Sequence, residues 1–314
     1  MNRSEKAGSS VIQEEIILLF RRLNKMQKRI ALTAFLFIAP VLIYNIIFKI
    51  IPIFISLYLS FTDFSGFGIP NMIGFSNYTD LFGNGEFWNA VLRTMQFSVE
   101  VLPLNMLISL LLALLVNQSI KGIGIFRAIY YLPVITPMVA ASMIWLWLYD
   151  PQIGVLNFIL SLFSIPPVNF LRDPNTALHS IVAMRVWRGA GWNMLIYLAG
   201  LQGISKNLYE AASIDGARTF QRFTKITLPL LRPVHLYVLI VGLINTLQTF
   251  TEVYVMTNGG PLESTTTVGL LIYKTAFDYM KMGYASAMSF ILGILIMVLS
   301  VTGFVWRKEK GVRA

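Results

Sequence analysis

The sequence has 314 residues, of which 56% are hydrophobic and 13% charged, and it contains no cysteine. Soluble proteins carry roughly 25% charged residues because their surfaces face water, so this composition excludes an ordinary soluble domain and predicts a chain that faces mostly lipid. The formal net charge of +10 does not indicate a nucleic-acid partner, because the Lys and Arg residues lie at the ends of apolar runs.

The chain begins with a basic segment, residues 1–29. Between residues 10 and 29 apolar residues alternate with polar ones and the second half is basic, a pattern typical of a helix lying along the inner membrane surface. A solvated arm explains the same pattern, and the sequence leaves both interpretations open. In either case, this segment is predicted to be cytoplasmic and separate from the membrane domain.

Six apolar runs follow. Each is long enough to cross a membrane as a helix, which takes roughly 20 residues. Their approximate limits are 31–60, 88–117, 125–149, 178–201, 233–256 and 284–306. The first run is longer than one crossing requires, and Pro40 and Pro52 predict either kinks in it or an end that projects beyond the membrane. Pro133 and Pro137 predict a kink in the third run. The sequence therefore predicts an all-α integral membrane protein, with a six-span domain over residues 30–307 and a cytoplasmic tail over 308–314.

The distribution of basic residues predicts the orientation of these spans. Of the 25 Lys and Arg residues, three (Arg172, Lys274 and Lys281) lie in loops on one side and four lie inside spans. The remaining 18 lie on the side that contains both termini. Because basic residues stay on the cytoplasmic side, both termini are predicted to be cytoplasmic.

Several kinds of active site are absent from the sequence. There is no Gly-Lys dipeptide, hence no P-loop for a nucleotide, and neither His-Glu-x-x-His nor Gly-x-Ser-x-Gly occurs. The two histidines, His179 and His235, are far apart, and no Cys is present, which argues against a zinc site. We therefore expect a non-catalytic chain that binds no metal and no cofactor of its own.

The longest predicted inner loop, residues 205–233, has a distinctive pattern. It predicts a short helix up to Ile214, a turn at Gly216 and a second helix that ends at Pro229. Small residues would let another protein approach this knob closely, while basic residues at its rim offer charged contacts. The small residues are Ala211, Ala212 and Gly216, and the basic ones are Arg218, Arg222 and Lys225.

This loop resembles the EAA loop of binding-protein-dependent ABC importer permeases. The matching positions are Glu210, Ala211, Ala212, Gly216, Ile226, Leu228 and Pro229. Asp215, Ala217 and Phe223 further resemble the carbohydrate branch of the family, as do residues 51–52, 60–63, 257–261 and 283–287. The resemblance covers about residues 30–307 and is to the first permease of maltose and glycerol-phosphate type importers.

The resemblance implies a type I permease fold in a bacterial cytoplasmic (inner) membrane. It also implies that Glu210 to Ala217 with Arg218 form a coupling helix seated in a cleft of a cytoplasmic ATPase. The implied partners are a second homologous permease, two ATPase copies and an extracytoplasmic sugar-binding protein, with ATP and Mg bound by the ATPase. The alternative is that the loop merely connects two helices.

Polar residues within two spans indicate where a substrate would pass, because such residues usually face a partner helix or a wet cavity. In the fifth span they share one helical face, and in the fourth they lie at similar depth. Aromatic faces stack on sugars, and amides and guanidinium groups bind hydroxyls. The candidates are Asn245, Gln248, Thr249 and Glu252 in the fifth span and Arg185, Trp187, Arg188, Gly189 and Trp192 in the fourth.

In maltose-type permeases these same stretches hold the sugar, so the resemblance implies an oligosaccharide substrate. The two arginines favour an acidic sugar such as a uronate, because guanidinium and carboxylate form two parallel hydrogen bonds. The alternative is that Arg185 or Arg188 pairs with Glu252 or reaches water at the outer interface.

Other polar and aromatic residues have simpler interpretations. Trp145, Trp147 and Tyr149 are predicted to form an interfacial aromatic belt. Arg93 and Glu100 share a face of the second span and predict a structural ion pair. Both histidines are expected to be solvated or packed. Residues 258–261 predict a turn, which by family analogy also contacts the sugar-binding protein.

Two other classes of function remain alternatives at this point. A secondary carrier driven by an ion gradient would use Glu252 and Glu100 as ion or proton sites. A membrane enzyme or scaffold would move no substrate.

Overall fold

A computed structural model describes residues 25–118 and 121–311. Most of the predicted amphipathic segment and the end of the predicted tail lie outside these residues. Within them the secondary structure is helical, apart from one antiparallel bridge between Thr62 and Met72.

The helices are numbered in chain order. They are α1 Lys25–Asn45, α2 Ile51–Leu59, α3 Ser76–Gly83, α4 Gly85–Val116, α5 Ile123–Ile135, α6 Met138–Leu148, α7 Val155–Leu162, α8 Ala177–Gln202, α9 Lys206–Ile214, α10 Thr219–Arg222, α11 Leu228–Leu230, α12 Arg232–Leu247, α13 Thr251–Met256, α14 Val268–Tyr273 and α15 Met282–Gly311. The structure also contains turns of π-helix. The turn Ile46–Ile50 joins α1 to α2, the turn Phe223–Thr227 joins α10 to α11, and the turn Lys274–Asp278 follows α14.

The chain divides into two compact units between Tyr58 and Leu59. In the first unit, α1, its π turn and α2 run as one helix, and Leu32–Leu59 is apolar and long enough to cross a membrane. Pro40 lies inside α1 and Pro52 in α2. The π turn lies between the two prolines, so this is where the helix is distorted. Lys49 is the basic residue of the π turn.

Each of the six predicted spans coincides with helical structure, but the spans differ in kind. By length and composition, Leu32–Leu59, Gly85–Val116 and Met282–Thr302 could each cross a membrane. Two further candidates are bent pairs, α5 with α6 and Thr219–Leu230 with α12, so the described residues contain three to five candidate spans. The fourth predicted span, α8, is 26 residues long but less apolar, because Arg185 and Arg188 lie in its middle.

The third and fifth predicted spans are not continuous helices. The chain turns by 98° between α5 and α6, at Thr136 and Pro137, which confirms the predicted kink and makes it a break. The fifth span is interrupted between α12 and α13 at Gln248, Thr249 and Phe250. The prediction of one helical face from Asn245 to Glu252 is therefore wrong, because three- and four-residue spacing describes a face only while the helix continues.

Packing of α4 against α8 forms the centre of the second unit. One cluster of buried side chains joins these two helices to α13 and α14 through Phe97, Ile181, Met184, Val253 and Leu270. A second cluster lies toward the other ends of α4 and α8 and contains Ala113, Met194, Tyr197, Leu201 and Leu231. One face of α8 is buried along its length in this way, and its two arginines are partly buried against protein.

Candidate functional site

A cavity of about 420 Å³ lies among α4, α8 and α12. Its apolar lining consists mainly of Val, Leu and Met side chains, and most of its polar lining comes from α8 and α12. The polar and glycine residues that line it are Asn105, Arg185, Arg188, Gly189, Asn193, Gly242, Asn245 and Thr246, and Trp192 is its aromatic residue. Of the nine residues predicted to contact substrate, five line this cavity.

Arg185 extends from the cavity toward a buried carboxylate. Its Nε lies 3.6 Å from Oε1 of Glu252, a residue that is only 2% exposed. Thr249 donates its hydroxyl to the same Oε1 at 2.6 Å. The structure therefore shows the alternative in which Arg185 pairs with Glu252, and it places Thr249 and Glu252 in the core instead of on the cavity wall.

Arg188 has different partners. Its Nε donates to the Thr136 carbonyl at 3.3 Å, and its Nη2 donates to the carbonyls of Thr136 and Val134 at 3.2 and 3.5 Å. Among the described residues it makes no ion pair within 4 Å. One positive charge of the cavity is thus unmatched by a carboxylate.

The two tryptophans of α8 have different surroundings. Trp192 lines the cavity and is half exposed, which leaves its ring available for stacking. Trp187 lies outside the cavity lining and packs edge-on against Trp145, with 5.6 Å between ring centroids. Gly189 allows a close approach of α4, because a Cβ atom there would lie 2.8 Å from Nδ2 of Asn105.

The sequence analysis missed an amide cluster on the cavity wall. Asn105 of α4 is buried, donates to the Val186 carbonyl at 3.2 Å and accepts from Asn193 at 2.6 Å. Ser109 donates to the Ala190 carbonyl at 3.0 Å. These residues are polar positions within spans, which is the same signal that identified Asn245, so they could have been found by applying it to every span.

Two predictions about ion pairs and rings are wrong. Glu100 does not pair with Arg93; it accepts from Gln96 and lies 2.6 Å from Nδ1 of His179, so this exposed histidine has a carboxylate partner. Arg93 donates to Gln96 instead. The predicted interfacial aromatic belt is also wrong, because its residues do not share one exposed surface.

Of its three residues, only Trp147 is largely exposed. Tyr149 is buried, donates its hydroxyl to the Ser180 carbonyl at 2.9 Å and lies in the core cluster against which Trp145 packs. His235 also packs inside the protein, 2.9 Å from the hydroxyl of Tyr197.

The predicted coupling loop has the expected shape. Helix α9 ends at Ile214, and Gly216 turns the chain with a φ of 76°, a left-handed conformation that side chains disfavour. The Ala217 N–H donates to the Ala212 carbonyl at 2.8 Å. Across the turn, Nη1 of Arg222 donates to the Ser213 hydroxyl at 2.8 Å, so α9 and α10 form one knob.

The surface of the knob combines small residues with exposed large apolar side chains. Glu210, Ala211, Asp215 and Gly216 are exposed, and Ala212 and Ala217 are half-buried. Two large apolar side chains project from it, Ile214 at 87% and Phe220 at 74% exposure. Ile226, Leu228 and Pro229 follow on the second arm, of which the first two are half-buried.

The loop around Asn258 forms a turn, as predicted. Asn258 and Gly259 both have positive φ, and Nζ of Lys274 donates to the Asn258 carbonyl at 2.9 Å. A second cavity, of about 340 Å³, lies between this loop and the chain around Asp150. The N–H groups of Ile153 and Gln152 donate to Asp150 and hold the pKa of its carboxyl below the ordinary value.

No group of three or more His, Cys, Asp or Glu side chains that could hold a metal ion occurs in the part of the chain that the structure describes.

Comparison with known proteins gives concordant similarities. Residues 105–308 match a family described as "Binding-protein-dependent transport system inner membrane component". The chain is 36% identical over 282 residues to the trehalose/maltose transport system permease protein MalF of Thermococcus litoralis, covering 88% of this chain and 94% of that protein.

Similarity also extends to solved structures. A chain of a bacterial ABC transporter involved in the import of the acidic polysaccharide alginate matches with a TM-score of 0.80 and 25% identity, covering 91% of this chain and 99% of that one. A structure of a bacterial alginate ABC transporter in complex with an alginate pentasaccharide-bound periplasmic protein matches with the same TM-score and identity, over 92% and 98%.

Proposed function

This chain belongs to the family of inner membrane components of binding-protein-dependent transport systems, with the type I permease fold, and from that premise we propose how it works. It is a permease subunit of a sugar ABC importer and forms part of the translocation pathway. ATP hydrolysis takes place in a separate ATPase subunit that binds ATP and Mg. This chain binds no cofactor.

In this proposal the knob formed by α9 and α10 is the ATPase-coupling site, and the observation that supports it is the exposed turn at Gly216 between these two helices. The family resemblance assigns the coupling role to Glu210, Ala211, Ala212, Asp215, Gly216, Ala217, Arg218, Ile226, Leu228 and Pro229. Exposure of Ile214 and Phe220 beside small residues supports it, because exposed large apolar side chains next to a closely approachable surface favour a protein contact.

Coupling requires that the ATPase contacts the knob differently in two states, since only differential affinity shifts a conformational equilibrium. ATP closes the ATPase dimer and draws together the coupling knobs of two homologous permeases. The cavity then turns from facing inward to facing outward and receives sugar from an extracytoplasmic binding protein. In this arrangement both termini of the chain are cytoplasmic.

The substrate is an oligosaccharide with an acidic group. Support comes from the cavity, where Trp192 offers a stacking face, Asn193 and Asn245 offer amides, and Arg188 offers a positive charge without a carboxylate partner. Import of an acidic polysaccharide by the structural relative is consistent with this substrate class. Arg185 contributes less charge, because Glu252 compensates it.

Two substitutions of one glycine test the coupling site. No atom of this chain lies within 4 Å of a Cβ atom built on Gly216, so within the chain a side chain there acts through backbone conformation. Valine and asparagine both add a side chain to the surface that faces the ATPase, so the two variants differ mainly in backbone preference. Valine disfavours positive φ, whereas asparagine tolerates it. In the purified complex we expect Gly216→Val to lose most of the ATPase subunit and to lower ATP-driven sugar uptake at least about tenfold, corresponding to roughly 1.4 kcal/mol, while Gly216→Asn retains both.

Full uptake and full ATPase recovery by Gly216→Val would overturn the coupling assignment. Uptake into vesicles also separates the importer from a carrier. An importer loses uptake when ATP is removed and keeps it when an uncoupler collapses the ion gradient, and the reverse result would overturn the proposed function.

A further inference from the structure

The guanidinium of Arg188 contacts two functional parts of the molecule at once. It lines the 420 Å³ cavity, and it donates to the carbonyls of Val134 and Thr136 at the break between α5 and α6. The chain bends there by 98°. A group in the cavity therefore lies next to the hinge of a broken span.

The carbonyls at this break need donors from elsewhere. The last turn of α5 has no following helical N–H groups, and Pro137 has no N–H at all. The Thr136 hydroxyl donates to the Leu132 carbonyl at 3.3 Å. Arg188 supplies the donors for Val134 and Thr136, so a residue of α8 completes the end of α5.

A second contact fixes α5 against α8. A Cβ atom on Gly191 would lie 2.2 Å from the carbonyl oxygen of Tyr130, so the two backbones touch at this point. Tyr130 lies about one helical turn before Val134, and Gly191 about one turn after Arg188. These two contacts hold the end of α5 against α8, and the hydrogen bonds of Arg188 lie at the bend that leads to α6.

A carboxylate would compete well for Arg188. A carboxylate accepts two parallel hydrogen bonds from a guanidinium and brings the opposite charge, whereas a backbone carbonyl accepts from it without a charge of its own. The three bonds to carbonyls are 3.2, 3.3 and 3.5 Å long, at or beyond the long end of the normal range for N–H···O bonds. Arg185 cannot offer the same response, because Glu252 already holds it.

We propose that Arg188 is a positioning residue that couples an acidic sugar in the cavity to the angle between α5 and α6. The sugar carboxylate takes the guanidinium from the carbonyls of Val134 and Thr136, and the bend gains freedom. A neutral sugar leaves these bonds in place. This inference rests on the proposed function and adds a means by which the permease distinguishes an occupied cavity from an empty one.

The absence of native cysteines makes the angle measurable. Cysteines replacing the exposed residues Ile129 on α5 and Ile144 on α6 would carry two spin labels in the assembled transporter, held in lipid nanodiscs without nucleotide. Pulsed electron paramagnetic resonance then gives the distribution of distances between the labels. The three conditions are no sugar, an alginate pentasaccharide and the neutral maltopentaose.

We expect a narrow distribution without sugar and with maltopentaose, and a broader or displaced one with the alginate pentasaccharide. Arg188→Gln should broaden the distribution without any sugar and abolish the response to alginate. Arg188→Lys, which keeps the charge but loses the fork, provides a second variant with the same expected broadening. Arg172→Gln, at an exposed loop arginine, is the matched control and should behave as the unchanged chain.

An unchanged distribution in both Arg188 variants would overturn the inference. So would an equal response to maltopentaose, or no response of the unchanged chain to the alginate pentasaccharide. Failure of the proposed function differs from these results. It appears as absent ATP-driven uptake of every sugar in matching proteoliposomes, whereas the effect of Arg188→Gln on the sugar-free distribution does not depend on transport.

Discussion

Several polar side chains in the membrane domain are held by specific partners. Glu252 is held by Arg185 and by the Thr249 hydroxyl, and Asn105 connects two helices through the Val186 carbonyl and Asn193. A buried ion pair that loses one partner leaves an uncompensated charge, which costs more than removing both charges. The two arginines of α8 therefore differ in what their removal does.

Neutralising Arg185 alone should destabilise the protein, and neutralising its partner as well should restore much of the loss. We expect Arg185→Gln to lower the free energy of unfolding by about 3 kcal/mol, and Arg185→Gln with Glu252→Gln to recover most of it. Thermal unfolding of the purified chain in detergent measures both.

Sugar uptake by the double variant then separates stability from recognition. If Arg185 serves mainly Glu252, the double variant transports acidic sugar at a rate close to that of the unchanged chain. A double variant as unstable as Arg185→Gln would contradict the ion pair, and a stable one without uptake would show that Arg185 contacts the substrate.

At the scale of elements, the α5–α8 pair shows how one residue sets the distance between two helices. Gly191 lets the α5 backbone touch α8 at Tyr130, and the contact places the end of α5 beside Arg188. Gly293 on α15 has no atom within 4 Å of a Cβ position. The two glycines therefore provide a matched pair within helices.

Replacement of Gly191 by alanine should push α5 away from α8. Backbone atoms stand where the Cβ would go, so we expect a loss of about 1–3 kcal/mol in the free energy of unfolding together with reduced uptake. Gly293→Ala should be neutral or stabilising by up to about 1 kcal/mol, since alanine suits a helix interior better than glycine. Equal unfolding temperatures for the two variants would contradict the close contact.

For the whole molecule, the distribution of charge predicts which surfaces face each side of the membrane. It predicts that the knob of α9 and α10 lies on the basic side and that the loop preceding α8 lies on the side poor in Lys and Arg. Helix α8 connects these two surfaces, because the loop ends at the first residue of α8 and the knob follows its last residue.

Single cysteines test this orientation directly. Asn207→Cys in the knob and Asn175→Cys before α8 both replace exposed residues in a chain without native cysteine. In intact cells stripped of any outer barrier, a membrane-impermeant maleimide should label position 175 and not position 207. Membrane disruption should expose position 207. Labelling of position 207 in intact cells would contradict the predicted topology.

The sequence by itself determined the membrane class, the family, the presence of helical structure in each predicted span and the glycine turn of the predicted coupling loop. These follow from local properties, namely apolar run length, contiguous motifs and the φ that Gly216 permits. Polar positions within the fourth and fifth predicted spans, with support from the resemblance, also directed attention to α8 and α12, where the cavity lies.

Only the tertiary structure decided which polar residues line the cavity and which support the core. The helix break at Gln248 moved Thr249 and Glu252 away from the face predicted for Asn245, and Glu100 met His179, 79 positions away. Partners of this kind depend on the crossing of helices distant in sequence. A one-dimensional periodicity cannot specify them, because it ends wherever the helix does.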